Sequence, residues 1–400
     1  LAVLATLLCI LLSPGIAGTR FLFLPTAFDQ LFWIICIYCS ASYCQSQNAR
    51  YLIWFCIFGA LGFLTKYSIV FLFAGMLTSS LIFRRDIFLK KSLWIGLLIF
   101  LALITPNLCW QIKNQFPAIT HFSQLYDSQL NRLSMGGELK KLFLFSNPFT
   151  MIFWLPGLFA IPFISKFKQY KLISFALCCS FVFLFCAKGK WYYFFPVVIG
   201  AIPLGTVFFE RLLQKRKWII YAYLTVLGLT GVYLLPQGIP IIKLQRFIEL
   251  YHKKPNKDGK IPLAFDNYYS TEIWTRILNV VNKTYIELPS EEQEKCFILG
   301  RHYSMAGAMN LLGKKYGLPQ AFSLHSSFEW MPEFDKGAVI IAIGESNWLE
   351  QHWGEYFKYV EEIGIVENKY ASKESEYNYR IFLCKGLKYN SVEFKRFIEN

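Results

Sequence analysis

The chain has 400 residues, of which 18% are aromatic and only 17% charged, with a mean hydropathy of +0.37; an ordinary globular chain carries ~25% charged residues, so a soluble globular protein is excluded. The formal charge of +15 lies wholly in residues 1–235, which hold 20 Lys and Arg against five acids, while the remainder balances 21 against 21. Nucleic-acid binding would put basic surface on a polar domain, so nucleic acid is excluded as a partner and membrane lipids or lipid-like substrates are expected.

Runs of roughly 17–25 apolar residues mark membrane spans. Eight fall at about 28–44, 51–65, 69–83, 93–109, 148–165, 172–187, 194–210 and 218–235. A ninth, LAVLATLLCILL over 1–12, looks cut off. The chain opens on Leu1 inside that run, with neither a charged leader nor a small-residue cleavage site. The expectation is a segment that has lost its N-terminal part.

Lys and Arg mark the cytoplasmic side of spanning proteins. RRDIFLKK (84–91), SKFKQYK (165–171) and RLLQKRK (211–217) are densely basic and separated by even numbers of spans, so they share that side with QSQNAR (45–50). Every other loop is then extracytoplasmic: 13–27, the TKYS turn at 65–68, 110–147, and KGKWYY at 188–193. Asp29, Lys66, Asp127, Arg132, Lys188 and Lys190 all reach that outer face, where cations should be scarce. Single residues have plain explanations. Lys66 can be an interfacial anchor, Lys140 and Lys141 can snorkel, and Asp29 can satisfy free N–H groups at a helix start. Together they describe a polar site suited to an anion at membrane depth, such as a phosphate on a lipid carrier, with Arg as a bidentate grip and Lys as a point charge. Trp191, Tyr192 and Tyr193 read as an interfacial aromatic wall of that site.

The 110–147 loop carries Ile119, Phe122, Leu125, Leu130 and Leu133 at helical spacing, which predicts short amphipathic helices at the membrane surface, broken by Pro117 and Gly136–Gly137. Nine of the eleven cysteines lie in or beside spans and read as small hydrophobes. Cys296 and Cys384 sit in strand-like runs, where a disulfide between them is conceivable but unsupported.

Residues 236–400 alternate in texture, predicting a small α/β domain. CFILG (296–300), AVIIAIG (338–344) and YRIFLCKG (379–386) are strand candidates, and 271–281, 306–317 and 347–360 are helix candidates. GRHYSMAG (300–307) runs strand to loop to helix and is a weak anion-binding candidate. His302 and His325 read as ordinary polar residues.

The stretches PTAFDQLFW, GALGFLTKYS, PNLCWQIKNQFPAITHFSQL and KGKWYYFFPVVIGAIP resemble glycosyltransferase family 39, the dolichyl-phosphate-mannose protein mannosyltransferase-like and aminoarabinose-transferase-like membrane enzymes. The resemblance extends into the tail through FILGRHYSMAGAMNLLGKKYGLPQAFSLHSSFEW and YRIFLCKGLK, as in a bacterial subgroup. It implies a GT-C helix bundle followed by a small α/β domain. The protein would lie in a bacterial plasma membrane, with active site and tail domain extracytoplasmic. The implied activity is transfer of a sugar from a polyprenyl-phosphate donor to a lipid, glycan or protein acceptor. On this reading Asp29 holds the family's acidic position at the start of a span, as base or in support, and Arg132 and Lys190 fall where basic residues handle the carrier phosphate. Lys188 and Lys66 are second candidates for that phosphate. The family's principal catalytic Asp is expected upstream of Leu1, so this segment alone is expected to be inactive. Some relatives hold a metal through a Glu and a His near the Arg132 position. Here Asp127, Ser128 and Gln129 stand there, with His121 a turn or more away, so no cofactor is predicted and a divalent metal, left open by the resemblance, is not supported by these residues. The runner-up is a transporter or lipid flippase, against which count the lack of an internal repeat and of paired Gly/Pro-broken spans.

Overall fold

A computed structural model describes residues 1–323, 336–345, 353–391 and 393–394. The chain divides into two compact units, Leu1–Ile239 and Pro240–Asn400.

The first unit is a helix bundle built from the apolar runs. Its helices are α1 (Ala2–Leu11), α2 (Pro14–Phe21), α3 (Pro25–Ser46), α4 (Arg50–Thr65), α5 (Val70–Phe83), α6 (Lys91–Lys113), α7 (Pro117–Ser128), α8 (Met135–Phe145), α9 (Met151–Phe159), α10 (Lys171–Cys186), α11 (Phe195–Leu212) and α12 (Lys217–Leu234). Among the described residues five helices are long and apolar enough to cross a membrane, or up to seven if each of two bent pairs is one span. The runs 51–65 and 69–83 form shorter apolar helices. Apolar side chains all round a helix require burial in protein or lipid, and the bundle uses both. Eleven positions of α11 are buried, from Phe195 to Thr206, whereas α6 buries only Gly96, Ile104 and Gln111. α11 is therefore the centre of the unit and α6 an outer helix.

Helices in lipid gain little from burying apolar surface against one another, so small residues that admit close backbones decide where they cross. A Cβ on Gly205 of α11 would lie 1.7 Å from the Phe153 carbonyl, and one on Gly157 of α9 would lie 2.2 Å from the Ala201 carbonyl. α5 and α10 meet in the same manner at Gly75, and Ser180 and Ser79 tie the crossing by donating to the carbonyls of Phe71 (3.0 Å) and Leu172 (2.6 Å).

Two helix pairs are broken, α1 with α2 by 62° and α8 with the 148–163 segment by 92°. Each second half begins on a proline, Pro14 or Pro148, whose missing N–H suits a first helical turn. The breaks meet: Ser13 Oγ donates to the Ser146 carbonyl at 2.7 Å and Asn147 Nδ2 to the Leu12 carbonyl at 3.3 Å, all three polar side chains fully buried. Backbone groups freed at that depth need such partners. These Pro-broken pairs were not legible in the runs 1–12 and 148–165, and they weaken the sequence argument against a transporter. Pro117 and Gly136–Gly137 likewise start helices rather than break them. Pro117 opens α7, and Gly136 and Gly137 lie in the first turn of α8, where Ser134 Oγ accepts the Gly137 N–H.

The loops gather at two ends of the bundle. At one, Arg84 donates to Gln47 at 2.8 Å, Tyr43, Leu52, Ile87 and Leu172 form a small core, and the Arg211 guanidinium lies 5.1 Å from the Phe167 ring centre. This end carries the basic loops. The segments 20–30, 66–68, 107–118, 126–141 and 188–193 meet at the other.

The second unit contains α13 (Leu244–Leu250), α14 (Ser270–Glu287), α15 (Ser290–Gln293), β1 (Cys296–Gly300), α16 (Tyr303–Leu312), β2 (Ala321–Ser323), β3 (Val339–Glu345), α17 (Trp353–Tyr356), β4 (Phe357–Glu367) and β5 (Asn378–Leu387). The strands form one mixed sheet in the order β2-β1-β3-β5-β4, with β1 parallel to β2 and β3, and β5 antiparallel to β3 and β4. The predicted helix over 347–360 is only partly present. Residues 347–352 lie outside the described residues, 353–356 form one helical turn, and Phe357 onward is strand, pairing Phe357 with Leu387 and Tyr359 with Lys385. Sheet-edge pairing with β5 overrides the helical spacing of its apolar residues. Cys296 and Cys384 are both free. Strand β3 separates them, and they belong to cores on opposite faces of the sheet. His302 is the N-cap residue of α16 without a side-chain capping bond, and His325 lies outside the described residues.

Candidate functional site

The polar residues at the second end of the bundle assemble in two adjoining parts. The first is built on α3 and the turn between α4 and α5. Pro25 at the first position of α3 starts the helix, which brings Thr26 and Asp29, three residues apart, to one face. α4 stops at Thr65, and Lys66 adopts an extended conformation that turns its side chain back across α3. Ser68 Oγ donates to Asp29 Oδ2 at 2.9 Å and Lys66 Nζ donates to Thr26 Oγ1 at 3.3 Å.

Asp29 is only 1% exposed, and its second oxygen, Oδ1, makes no hydrogen bond of normal geometry; the Trp33 indole N–H one turn along, buried with it, faces the carboxylate without closing such a bond. A buried carboxylate oxygen without such a bond is costly. The nearest cation is Lys66, which no carboxylate approaches within ion-pair distance among the described residues. Its ammonium instead lies 4.3 Å from the ring centre of Tyr193 and 5.4 Å from that of Tyr192, a cation–π arrangement. Lys66 lies outside both flanking helices. Burial pushes its pKa below the ordinary lysine value, the Asp29 carboxylate opposes that, and the Lys190 charge adds to it.

The second part is the KGKWYY loop docked on the 126–138 segment. The loop turns at Lys188, whose φ is +52°, and the Gly189 N–H closes on the Leu184 carbonyl. Lys188 Nζ donates to the Asn131 carbonyl at 2.9 Å and lies 6.0 Å from the Tyr126 ring centre, while Lys190 Nζ donates to Gln129 Oε1 at 2.6 Å. Arg132, at the end of a short 3-10 turn over Leu130–Arg132, is exposed and one residue from the carbonyl that holds Lys188. The two basic stretches singled out in sequence are therefore neighbours.

The structure brings Lys66 against Tyr192 and Tyr193 and places Asp29 within reach of the Lys66 charge, with Lys190 and Lys188 alongside. Arg132 touches none of them directly. Trp191 packs its ring 4.8 Å from Phe145 and 5.3 Å from Phe195, centre to centre, and also meets Tyr192 edge-on at 5.7 Å. Asp127 and His121 stand on exposed α7, and among the described residues no three His, Cys, Asp or Glu side chains cluster as a metal site would require.

Thr26, Ser68, Gln129 and Glu138 escaped sequence reasoning. Thr26 and Ser68 lie inside quoted stretches, at spacings from Asp29 and Lys66 that a face-by-face reading could have used. Glu138 is one of only five acids in the first 235 residues. It is 3% exposed, takes the Trp191 backbone N–H at 2.8 Å, and pairs with Lys141 at 2.6 Å, so Lys141 is held rather than snorkelling.

Residues 1–110 match a family model described as Dolichyl-phosphate-mannose-protein mannosyltransferase. The match indicates membrane glycosyltransferase activity in general. It takes in Asp29, Lys66 and Ser68 and ends before Arg132, Lys188 and Lys190. No curated protein and no solved structure matches the chain.

Proposed function

We propose that this chain, which that match places with membrane glycosyltransferases in general, moves a sugar from a polyprenyl-phosphate carrier to a lipid, glycan or protein acceptor. The reaction would occur at the Lys66–Asp29 end of the bundle, on the extracytoplasmic face of a bacterial plasma membrane, with the second unit on that face.

One observation carries the reading: Lys66 and Asp29, both held by hydroxyls, face each other in an apolar bundle, and Asp29 Oδ1 is left without a hydrogen bond of normal geometry. A sugar hydroxyl supplies that bond. A carrier phosphate answers the ammoniums of Lys66 and Lys190, with Lys188 and Arg132 at the rim. In transfer, the acceptor hydroxyl oxygen bonds to the anomeric carbon and gives up its proton to a carboxylate or water. The bond from that carbon to the phosphate oxygen breaks, and its electron pair leaves with the phosphate. Charge grows on the phosphate as the bond lengthens, so fixed ammoniums stabilise the transition state more than the ground state. Asp29 acts in support, keeping Lys66 in place and orienting sugar hydroxyls. The tyrosines wall the site.

The test is equilibrium binding of polyprenyl phosphate, with the unphosphorylated polyprenol as control, to the chain in lipid nanodiscs. Lys66→Ala and Lys190→Ala should each weaken phosphate-dependent binding about tenfold, and Lys140→Ala should leave it unchanged. Unaltered binding in the first two variants overturns the phosphate assignment. The broken helix pairs meeting at Ser13 and Asn147 favour a second reading, a lipid transporter. Movement of the carrier lipid across sealed vesicles, with no sugar transferred to any acceptor, would establish it instead.

A further inference from the structure

Between α3, α4, α5 and α6 lies a cavity of about 540 Å³ that begins at Val70, just past the Lys66 turn, and runs towards the 84–91 loop at the opposite end of the bundle. Its lining is almost wholly apolar, with Phe55, Phe73, Leu77, Leu97 and Phe100 among the walls. The size falls within the ~300–1,000 Å³ of small-molecule sites. Along α5 the cavity runs from Val70 to Ser80, which at 1.5 Å per residue is about 15 Å. That is half of the ~30 Å hydrocarbon core, the depth of one leaflet.

Three hydroxyls, those of Ser40, Tyr43 and Ser80, interrupt the apolar lining. Tyr43 is 1% exposed and lines the cavity; the Arg84 guanidinium faces its hydroxyl as a donor, and no acceptor within hydrogen-bond distance takes the hydroxyl proton. Buried hydroxyls in native folds are nearly always paired, so this one points to a ligand atom. Around the Tyr43 end lies the 84–91 loop. Arg84 is held in place by Asp86 and Gln47 over the Tyr43 ring, and Arg85, Lys90 and Lys91 are exposed. Trp94 Nε1 donates to the Phe88 carbonyl at 2.9 Å and fixes the loop beside the cavity. The chemistry is amphiphilic: a leaflet-deep apolar slot, the Tyr43 hydroxyl at its polar end, and a cluster of cations beyond.

We infer that this cavity is a binding site for one anionic phospholipid of the leaflet on the 84–91 side. One acyl chain fills the slot between α4, α5 and α6, the glycerol ester accepts from Tyr43, and the phosphate group meets Arg85, Lys90 and Lys91. Its lining shares no residue with the Lys66–Asp29 site, and the inference does not rest on the sugar-transfer reading. Its occupant would brace α6, which otherwise buries few residues against the bundle.

Native mass spectrometry of the delipidated full chain, titrated with phosphatidylglycerol, phosphatidylcholine or polyprenyl phosphate, tests this. One phosphatidylglycerol should be retained per chain, at least fivefold more tightly than phosphatidylcholine. The surface change Lys90→Gln with Lys91→Gln should abolish that preference. Ala74→Trp, whose ring enters the cavity, should remove retention, and Tyr43→Phe should weaken it severalfold; circular dichroism establishes that each variant remains folded. Should Ala74→Trp misfold, Leu77→Trp serves in its place. Equal retention of the two phospholipids, or retention unchanged by a folded cavity-filling variant, overturns the inference. So does polyprenyl phosphate displacing phosphatidylglycerol in a manner lost in Lys66→Ala, since the slot would then belong to the carrier.

Discussion

Glu138 Oε2 accepts the backbone N–H of Trp191 at 2.8 Å, across 53 residues of chain. Through this bond a buried acid on α8 fixes the turn that carries Lys188 and Lys190. Removing the acceptor leaves a half-buried N–H unpaired, a cost of ~1–3 kcal/mol. Glu138→Ala should lower the free energy of unfolding by that amount and weaken polyprenyl-phosphate binding, because the lysines lose their fixed base. Glu138→Gln keeps an oxygen for the N–H and should retain most of both. Equal losses in the two variants would show that the Lys141 pair, not the Trp191 bond, matters.

Lys66 and Asp29 share the site without forming a direct ion pair, each bound instead to a hydroxyl on the other's segment. Their charges nevertheless act on each other. Lys66→Met and Asp29→Asn should each destabilise the bundle by about 1–3 kcal/mol, since each strands a buried partner. The double variant should cost less than the sum. A denaturation cycle with a coupling below about 0.5 kcal/mol would show the two to be energetically independent.

Lys66 also sets a pH dependence. Burial lowers its pKa from the usual 10.5. For a lysine so shifted, the penalty of the charged form is fully present below the folded pKa and is relieved as pH rises through it towards the unfolded value. Phosphate binding needs that charged form, so affinity should fall as pH rises through the lowered Lys66 pKa, earlier than exposed lysines would dictate. Binding followed from about pH 7 upward should show the fall in the native chain and not in Lys66→Arg, whose guanidinium stays charged. Identical profiles would assign the dependence to another group.

Much of the bundle was legible because a long apolar run has only one way to satisfy its backbone in lipid. The same runs hid the breaks at Ser13 and Asn147, since hydropathy does not register a bend whose polar groups are repaid by a second bend far along the chain. The cations were legible because acids and bases are scarce in the first 235 residues. Which of them meet was not, because Lys190 finds Gln129 and Trp191 finds Glu138 across more than fifty residues. In the second unit, strands β1, β3 and β5 announced themselves as apolar runs. β4 did not, because FKYVEEIGIVE mixes charged and apolar residues without a strand period and is strand by pairing with β5.

The α9–α11 crossing is a sterically closed contact. A Cβ on Gly205 would lie 1.7 Å from the Phe153 carbonyl, and neither partner is the flexible end of a side chain. Gly205→Ala should therefore force the helices apart and cost more than the ~1–3 kcal/mol of ordinary overpacking. Gly228→Ala on α12, with open space around the new methyl group, is the control and should leave stability unchanged. The comparison is the midpoint of thermal unfolding in one detergent. Equal midpoints for the two variants would mean that the helices do not approach so closely.

In the second unit a single side chain replaces two backbone partners. Asn310 on α16 donates to the Ala321 carbonyl at 2.8 Å and accepts the Ala321 N–H at 2.7 Å, imitating a neighbouring strand at the first residue of β2. β2 has only three residues and lies at the sheet edge, so these two bonds fix its start against α16. Asn310→Ala should leave both groups of Ala321 unpaired at a site that is 1% exposed, costing ~1–3 kcal/mol. Asn310→Asp keeps the acceptor and loses the donor, and should fall between. Hydrogen exchange read at the Ala321 amide of the full chain distinguishes them: fast in the alanine variant and close to native in the aspartate one. Native-like protection in Asn310→Ala would mean that β1 alone holds the strand in register.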